Sequence, residues 1–475
     1  MKTVWGRGAG LELIAVLLLA ISLVAVPLSR EERLLAAAGP AVHFQLYFGF
    51  SAPRDFYLVP VGVSVPDPTG ELRASLTRQV TKAVELLIQG PPPGAPLWCS
   101  IPEETRVLGC RIKQGTAEID FSGDILRCNV GSRTESLLLT AIVATAGQFP
   151  GVDRVRLLVD GKPAASIGGH IDVTEALPVQ GALEHALFQG FADMQGHWSE
   201  GAATVLFLAG VLHGYPEGDF RPERTVSRAE FFKMVVVGSG LKPEETDRTT
   251  FGDVPVGHWA HGYVERAVSA GILVPSDYGS RLRSDTPITR REVAIALVRA
   301  RGLESEAERL WGAQLPYTDT ASQPDWAKGY LAVAHREGLM QGNPDGTFAP
   351  ARPLKRGEAA ATVCRLARLG GPSVNTSLYL AFPPDGAPAT DTVLALGVAR
   401  VFEANVQARL RAGGREVVST YTTATQGAPG WGVFAFMLPV PADVRGDVLL
   451  EVFWSSPKDG SEQDLLSRPI TRPPQ

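Results

Sequence analysis

Residues 227–235 read SRAEFFKMV, and this stretch decides the fold at the centre of the chain because its pattern returns twice. The same order of residue types occurs in TRREVAIAL at 289–297 and in KRGEAAATV at 355–363. A serine or threonine followed three residues later by a glutamate is a capping box, which starts a helix. The apolar residues behind it continue at helical spacing. The sequence therefore predicts three helices that each begin with an arginine.

These helices belong to a unit that is repeated along residues 190–369. In each copy an aspartate opens the unit, a tryptophan follows, and a glycine lies twelve residues beyond the tryptophan. The helix-starting arginine comes 18 or 19 residues after that glycine. One such helix–loop–helix unit is too small to bury its own apolar face, so the copies should pack together. We call them unit one (190–240), unit two (250–303) and unit three (316–369).

The repeated unit resembles the S-layer homology (SLH) motif. The resemblance rests on the aspartate-to-tryptophan opening, the loop AGVLHGYPEGDFRP of unit one and the Ser/Thr-Arg-x-Glu helix start. It implies an all-α, three-lobed helical bundle. It also implies non-covalent anchoring to secondary polysaccharides of the Gram-positive cell wall, which are often pyruvylated.

Helix capping explains the serine and the glutamate of the motif but not the arginine. A cation in the first turn lies at the positive end of the helix dipole, where it is unfavourable. An acidic ligand, such as a pyruvyl ketal, would bind the free N–H groups and the guanidinium together. We therefore predict that the motif residues bind the wall polymer. The predicted ligand-binding residues are Arg228, Glu230, Arg290, Glu292, Arg356, Glu358, Trp198, Trp259, Trp326, Gly214 and Gly342.

Two further expectations concern this site. The tryptophans are expected to pack in the core, with stacking on sugar faces as the alternative. The units are also unequal, because Pro275 replaces the loop glycine in unit two. In unit three Lys355 cannot accept the capping hydrogen bond, and Gly357 weakens the first helical turn. Unit one is the most complete, so fewer than three functional grooves are predicted.

The block at 41–178 alternates strand and helix patterns in the order β-β-α-β-β-α-β, which predicts an α+β domain. A capping box at 132–135 predicts the start of its second helix. The block resembles the GerMN domain of sporulation and spore germination proteins through VELLIQGP, SIPEETRVLGCRIKQGTAEIDFS and TESLLLTAIVATAGQFPGVDRVRLLVDG. The resemblance implies a module without a catalytic centre that is associated with envelope assembly in sporulating cells.

The block at 377–470 alternates apolar and polar residues over several short runs, which predicts an all-β sandwich. It resembles the immunoglobulin-like domain of bacterial spore germination proteins through ARVFEANVQARLR, TTATQGAPGWGVF and SPKDGSEQD. This resemblance implies a role in binding or assembly. The whole chain is thus predicted to be a multidomain protein.

Residues 1–38 are predicted to be a signal peptide or a signal anchor. Lys2 and Arg7 precede an apolar run at 13–28, which as a helix would span roughly 24 Å against a bilayer core of about 30 Å. This length suits a signal sequence, and an uncleaved anchor is the alternative. We expect an exported protein at the cell wall or cell surface, with a membrane contact only through an uncleaved anchor.

Composition and motifs argue against other classes of protein. A net charge of −5 does not favour nucleic-acid binding, and the eight histidines are scattered. We predict no metal, no cofactor and no catalytic residues. Cys99 and Cys110 flank a short segment and are the candidates for a disulfide, with reduced thiols as the alternative.

Together these observations predict a non-enzymatic surface protein that is anchored to an acidic secondary cell-wall polysaccharide. Its flanking domains would contact other envelope or spore proteins. One alternative is a sporulation envelope scaffold that acts through self-association of the block at 41–178. A peptidoglycan-active hydrolase is the other alternative.

Overall fold

The computed structural model of the 475-residue chain describes residues 41–52, 55–184, 186–371 and 376–472. The predicted signal segment at 1–38 lies outside the described residues. Within the described residues, no helix combines the length and the hydropathy needed to cross a membrane. The chain is a multidomain protein with mixed α and β elements, as predicted.

The N-terminal block follows the predicted order of strands and helices. Its elements are β1 (Ala41–Ser51), β2 (Phe56–Pro66), α1 (Leu76–Gln89), β3 (Val107–Lys113), β4 (Thr116–Phe121), α2 (Ser132–Gly147), β5 (Arg154–Val159), β6 (Lys162–Pro163) and β7 (Leu177–Pro178). Strand β4 pairs antiparallel with β3 and parallel with β5. Helices α1 and α2 bury their apolar faces in the core of this block.

The start of α2 differs from the predicted capping box. Gly131 occupies the N-cap position, and Glu135 is fully buried instead of capping the helix. The Glu135 carboxylate accepts hydrogen bonds from the Ser166 hydroxyl at 2.9 Å and from the backbone N–H groups of Gly168 and His170 at 2.7 and 2.8 Å. The glutamate therefore fixes the loop at 166–170, because a buried carboxylate needs such partners.

The middle of the chain is helical. Its helices are α3 (Glu200–Leu208), α4 (Arg228–Gly238), α5 (His261–Ser269), α6 (Arg290–Ala300), α7 (Glu304–Arg309), α8 (Asp325–Arg336) and α9 (Arg356–Leu366). Helices α4, α6 and α9 begin at the predicted arginines. Ser227 and Thr289 cap α4 and α6 by accepting from the backbone N–H of Glu230 and Glu292. The short helix α7 was not predicted.

A ring of three backbone hydrogen bonds joins the starts of these three helices. Val226 N–H donates to Leu354 at 3.0 Å, Leu354 N–H donates to Ile288 at 2.8 Å, and Ile288 N–H donates to Val226 at 2.9 Å. Each unit therefore contacts both of the others, and the chain closes an approximately threefold arrangement. The first turns of α4, α6 and α9 consequently lie at the same end of the helical region.

The aspartate that opens each unit has the same structural role in all three copies. The carboxylates of Asp193, Asp253 and Asp319 each accept two backbone N–H groups from the loop of their own unit, at 2.6–3.0 Å. One non-glycine residue in each of these loops has a positive φ, namely 60° at Arg221, 55° at Arg283 and 54° at Ala349. The aspartate holds that unfavourable backbone in place.

The C-terminal block forms two five-stranded sheets. Its strands are β8 (Leu378–Phe382), β9 (Ala387–Pro388), β10 (Thr392–Ala399), β11 (Asn405–Ala412), β12 (Arg415–Thr423), β13 (Gly432–Pro439), β14 (Gly446–Ser455) and β15 (Glu462–Arg472). One sheet has the order β12-β11-β14-β15-β9, and the other has the order β1-β2-β13-β10-β8. The N-terminal hairpin thus supplies two strands of the second sheet.

The joining of this hairpin to the C-terminal block was not predicted. Strand β2 pairs parallel with β13, with Val61 opposite Ala435. A Cβ atom on Gly62 would lie 2.8 Å from the side chain of Thr422, so only glycine permits this approach. Gln45 Nε2 also donates to the hydroxyl of Thr422 at 3.0 Å. The blocks at 41–178 and 377–470 therefore share one sheet.

The helical region is also continuous with the β-sheets. Every residue of α3 is buried, because this helix packs between helix α9 of unit three and strands β8 and β10. The indole of Trp431, which is 6% exposed, lies against Gly201 of α3. One cluster of buried apolar residues extends from Phe44 through the helical units to Met437. The domains recognised in the sequence are thus packed on a common core.

Candidate functional site at the junctions between units

The motif arginines lie between units, where they bind protein groups. Arg228 Nε donates to Glu292 Oε1 at 2.7 Å, and its Nη1 donates to the Leu282 carbonyl at 3.0 Å. Arg290 Nη1 donates to Glu358 Oε1 at 3.1 Å, and its Nε donates to the Phe348 carbonyl at 2.7 Å. The arginine of one unit thus joins the glutamate and the loop of the next.

The third arginine closes the ring without an ion pair. Arg356 Nη2 donates to the His213 carbonyl at 2.6 Å, and its guanidinium lies 4.7 Å from the centre of the Phe220 ring. Among the described residues, Nε of Arg356 has no hydrogen-bond partner. Burial lowers the pKa of Arg356, as it lowers that of Arg290.

The predicted role of the arginines therefore needs a different physical account. Arg290 and Arg356 are 4% and 8% exposed, and the side chain of Arg228 is 15% exposed. A cation in the first helical turn is unfavourable because it lies at the positive end of the helix dipole. Hydrogen bonds from the guanidinium to carboxylates and backbone carbonyls compensate for this cost. The motif arginine thus has hydrogen-bond partners within the protein.

The three motif glutamates cap their helices and also bind arginines. Besides the partners above, Glu230 accepts from Arg224 at 2.7 Å and Glu358 accepts from Arg352 at 2.6 Å. Burial acts to raise the pKa of Glu358, but hydrogen bonds from Arg352 and from the Lys355 backbone, with the charge of Arg290, outweigh it and leave that pKa lowered. Glu358 is therefore a firmly ionised group at neutral pH.

The motif tryptophans are exposed, so the expected core packing is wrong. Trp198, Trp259 and Trp326 are 61%, 53% and 43% exposed. The core positions go instead to the aromatic residues that open the units, such as Phe191, which is 4% exposed. Large exposed indoles are the side chains that proteins use to contact apolar faces of ligands.

The two loop glycines have a packing role. A Cβ atom on Gly214 would lie 2.5 Å from the ring of Phe191, and one on Gly342 would lie 2.2 Å from the ring of Tyr317. Both distances are shorter than real Cβ contacts allow. Because these glycines have no side chain, the aromatic residue that opens each unit can pack directly against them.

A groove of about 380 Å³ lies where unit three meets unit one, and we call it the first groove. It contains the exposed Trp198 of unit one, and the start of α9 forms its other side. Its lining residues are His197, Trp198, Pro222, Glu223, Arg352, Lys355, Gly357 and Glu358. The groove is thus made by two units that are far apart in the sequence.

Basic and acidic groups meet inside the first groove. Lys355 Nζ donates to Glu223 Oε2, and His197 Nε2 lies 3.4 Å from Glu223 Oε1. The hydrogen bond from Lys355, followed by that from His197, holds the pKa of Glu223 below its usual value of 4.5. Arg352 adds a second cation at the same rim. The groove thus presents an indole face beside two cations and the two carboxylates that pair with them.

The equivalent positions in the other junctions are filled by larger side chains. The backbone N–H groups of Gly357, Ala229 and Arg291 donate at 2.9–3.0 Å to carbonyls of the neighbouring unit's loop, which makes the three positions equivalent. A Cβ atom on Gly357 would lie 2.7 Å from the Ser199 hydroxyl. Arg291 instead reaches across its junction to Gln323 at 3.2 Å. Gly357 therefore admits the close approach of Ser199 and His197 at the first groove.

Sequence reasoning missed His197, Glu223, Arg352 and Lys355, and it treated Gly357 as a weakness of unit three. One signal was available, since an arginine precedes the motif arginine by four residues in units one and three. The sequence did not indicate that these residues lie together, because the groove brings residues of unit one next to residues of unit three.

The four cysteines are free thiols in the structure, so the candidate disulfide between Cys99 and Cys110 is not formed. Cys99 Sγ donates to the Leu87 carbonyl at 3.3 Å, and burial raises its pKa to about 11. Burial also raises the pKa of Cys110. Within the described residues, no group of three or more potential ligands is arranged to hold a metal ion.

Comparison with protein families identifies the parts of the chain. The family model for sporulation and spore germination matches residues 45–165. The S-layer homology model matches residues 190–232 and 316–360, and unit two between them shares their hydrogen-bonding pattern. The model for the immunoglobulin-like domain of bacterial spore germination matches residues 380–461.

Several characterised proteins are similar to part of the chain. An amylopullulanase of Thermoanaerobacterium thermosulfurigenes is 29% identical over 43% of this chain and 11% of its own length. The surface-layer 125 kDa protein of Lysinibacillus sphaericus is 29% identical over 42% of this chain and 16% of its own length. A cellulosome-anchoring protein of Acetivibrio thermocellus is 28% identical over 32% of this chain and 34% of its own length. The chain thus spans a minor part of each.

Among solved structures, the first GerMN domain of the sporulation protein GerM from Bacillus subtilis is 26% identical. The match covers 29% of this chain and 97% of that domain, with a TM-score of 0.23. The chain therefore contains a sporulation and spore germination domain of the GerMN type, S-layer homology motifs and an immunoglobulin-like domain of bacterial spore germination.

Proposed function

We propose that this chain is a non-enzymatic surface protein that binds an acidic, pyruvylated secondary polysaccharide of the Gram-positive cell wall in its first groove. The SLH motifs and the similarity to a surface-layer protein and a cellulosome-anchoring protein support anchoring at the cell wall. The observation that carries the proposal is the exposed Trp198 beside Lys355 and Arg352.

In this proposal the groove residues bind the ligand and the motif arginines support the groove. Trp198 stacks on a sugar ring, while Lys355 and Arg352 bind the carboxylate of the pyruvyl ketal. Lys355 and Arg352 bind this carboxylate with the donors that their contacts with Glu223 and Glu358 leave. The motif arginines contribute indirectly, because they hold the units in the arrangement that forms the groove. They are Arg228, Arg290 and Arg356.

The test is co-sedimentation of the full chain with purified Gram-positive cell walls, before and after chemical extraction of the secondary polymer. Binding should be lost with the polymer. Trp198→Ala should weaken binding about two- to tenfold, the range expected for one aromatic contact. Trp311→Ala is the matched control, because Trp311 is 57% exposed and does not line the groove.

Two results would contradict the proposal. Equal binding to extracted walls would exclude the secondary polymer as the ligand. Wild-type binding by a folded Trp198→Ala variant would exclude the first groove. Thermal melts of both tryptophan variants separate loss of binding from loss of folding.

The scaffold alternative has one supporting observation in the GerMN domain. Leu108 and Leu126 are 55% and 52% exposed. Strand β3, which carries Leu108, lies at the edge of its sheet. Sedimentation equilibrium of the chain and of a Leu108→Lys variant tests self-association, which a charge at that edge should prevent.

A further inference from the structure

A second cavity, of about 840 Å³, lies at the other end of the helical region, and we call it the central cavity. Residues at the C-terminal ends of α4, α6 and α9 line it, including Gly238, Ala300 and Leu366. The hairpin residue Phe50 and the C-terminal residue Phe382 close it from the β-sheets. All parts of the chain therefore contribute to its walls.

The central cavity and the first groove are separate sites. Helix α9 contributes Gly357 to the groove and Leu366 to the cavity. At about 1.5 Å per residue, the nine residues between them correspond to roughly 14 Å along the helix. A ligand in one site does not reach the other.

The lining of the central cavity is apolar with an excess of positive charge. Arg301, Arg368 and Arg468 line it, and Asp385 is the carboxylate that stands among them. Arg468 Nη1 binds Asp385 at 2.9 Å, which leaves two arginines without an acidic partner in the lining. Burial lowers the pKa of Arg301, and repulsion from Arg368 lowers it further.

The guanidinium groups of the cavity carry more donors than the protein uses. Arg468 is 5% exposed, yet among the described residues its Nε has no hydrogen-bond partner. Among the described residues, Arg301 makes a single side-chain hydrogen bond, of 3.5 Å, to the Leu366 carbonyl. The Arg368 side chain makes none with the described residues, and it is exposed at the mouth of the cavity. A buried donor such as Nε of Arg468 is normally satisfied.

Neutralisation of the helix C-termini explains only part of this cluster. Arg301 and Arg468 donate to the carbonyls of Leu366 and Arg368 near the end of α9. That role needs one cation near each helix end. It does not explain three arginines around one space, two of which repel each other, or the buried Nε of Arg468.

We propose that the central cavity binds a small amphipathic anion, with a carboxylate or phosphate group on an apolar body. The anionic group lies among Arg301, Arg368 and Arg468, where planar guanidinium groups bind such oxygens in pairs. The apolar body lies against Phe50 and Phe382. The volume is within the range of about 300–1,000 Å³ found for small-molecule sites.

The test uses two fluorescent probes on the full chain. Anilinonaphthalene sulfonate is an amphipathic anion, and N-phenylnaphthylamine is its neutral counterpart. The wild type should bind the sulfonate at least about tenfold more tightly, since the neutral probe makes no charge-assisted hydrogen bond. Competition by decanoate and by decyl phosphate then distinguishes a carboxylate from a phosphate ligand.

Variants locate the binding site. The double variant Arg301→Gln/Arg368→Gln should lose the preference for the anion, whereas Arg309→Gln/Arg415→Gln, which changes two exposed arginines outside the cavity, should keep it. Ala300→Phe should fill the cavity and abolish binding of both probes. Ala381→Leu fills the same space from the β-sheet side if Ala300→Phe does not fold.

Two outcomes would overturn the proposal. Equal affinity of the wild type for the two probes would mean that the arginines bind no anion. Unchanged sulfonate binding by a folded cavity-filling variant would place the probe elsewhere on the protein. Wall co-sedimentation should be unaffected by all of these changes, because the first groove is a separate site.

Discussion

The motif arginine has different partners at two junctions. One lies between units two and three, and we call it the paired junction. The other lies between units three and one. Arg290 is paired with Glu358 at 3.1 Å, whereas Arg356 binds the His213 carbonyl and aromatic faces. Glu230, the equivalent glutamate, binds Arg224 and acts on Arg356 only through its charge. The first groove opens at this second junction, where the motif arginine has no ion pair with the described residues.

This difference teaches that a repeated motif does not imply a repeated role. At the paired junction Arg291 extends to Gln323, whereas at the other junction Gly357 admits Ser199 at close approach. One junction is therefore specialised for holding the units together, and the other combines weaker pairing with an accessible surface. At the second, Lys355 and Arg352 line an accessible groove, where they are paired with Glu223 and Glu358.

The largest expected effect is on stability at the paired junction. Arg290→Ala should lower the free energy of unfolding by about 3–5 kcal/mol, because it leaves Glu358 partly buried without one of its cations. Arg356→Ala should cost less, about 1–3 kcal/mol, since no carboxylate loses a partner. Urea denaturation of the two variants measures the difference, with the exposed Arg309→Ala as control.

Methionine at the same positions sharpens this comparison. Arg356→Met should be close to neutral, because a long apolar side chain can pack on Phe220, whereas Arg290→Met should remain destabilising. Equal losses in the two methionine variants would show that ionic pairing does not distinguish the junctions.

An effect of intermediate size is expected on wall binding. Gly357→Arg should displace Ser199 and His197, disrupt the first groove and weaken co-sedimentation with cell walls at least about tenfold, or 1.4 kcal/mol. Arg291→Gly is the matched exchange at the paired junction and should not weaken binding. If Gly357→Arg binds walls like the wild type while its melt is unchanged, the first groove is not the binding site.

The smallest effect is a pH dependence at the paired junction. The pKa of Glu358 is lowered from 4.5 in the folded chain, so the unfolded chain binds more protons as the pH falls below this value. The stability contributed by Glu358 is therefore present above pH 4.5 and is lost as the pH falls through the lowered pKa. Glu358→Gln should flatten the fall in melting temperature below pH 4.5, whereas Arg356→Met should leave its slope unchanged.

Local signals in the sequence predicted the helix starts correctly. Capping boxes involve residues three positions apart, so Ser227 with Glu230 and Thr289 with Glu292 reveal the first turns of α4 and α6 without tertiary information. The same approach failed at Ser132, because Glu135 is used by a loop more than thirty residues away. A local pattern is reliable only where no distant group competes for the side chain.

The sequence by itself therefore determined the repeat, its helices and the types of the flanking domains, since these depend on periodicity and on short-range hydrogen bonds. Only the tertiary structure decided that the N-terminal hairpin joins the C-terminal sheet, where Ser64 meets Thr420 across 356 residues. It also decided that unit one meets unit three at an open groove, while the paired junction is filled. Contacts of this kind depend on which surfaces remain to be buried once the units have formed. The local sequence around each residue therefore does not predict them.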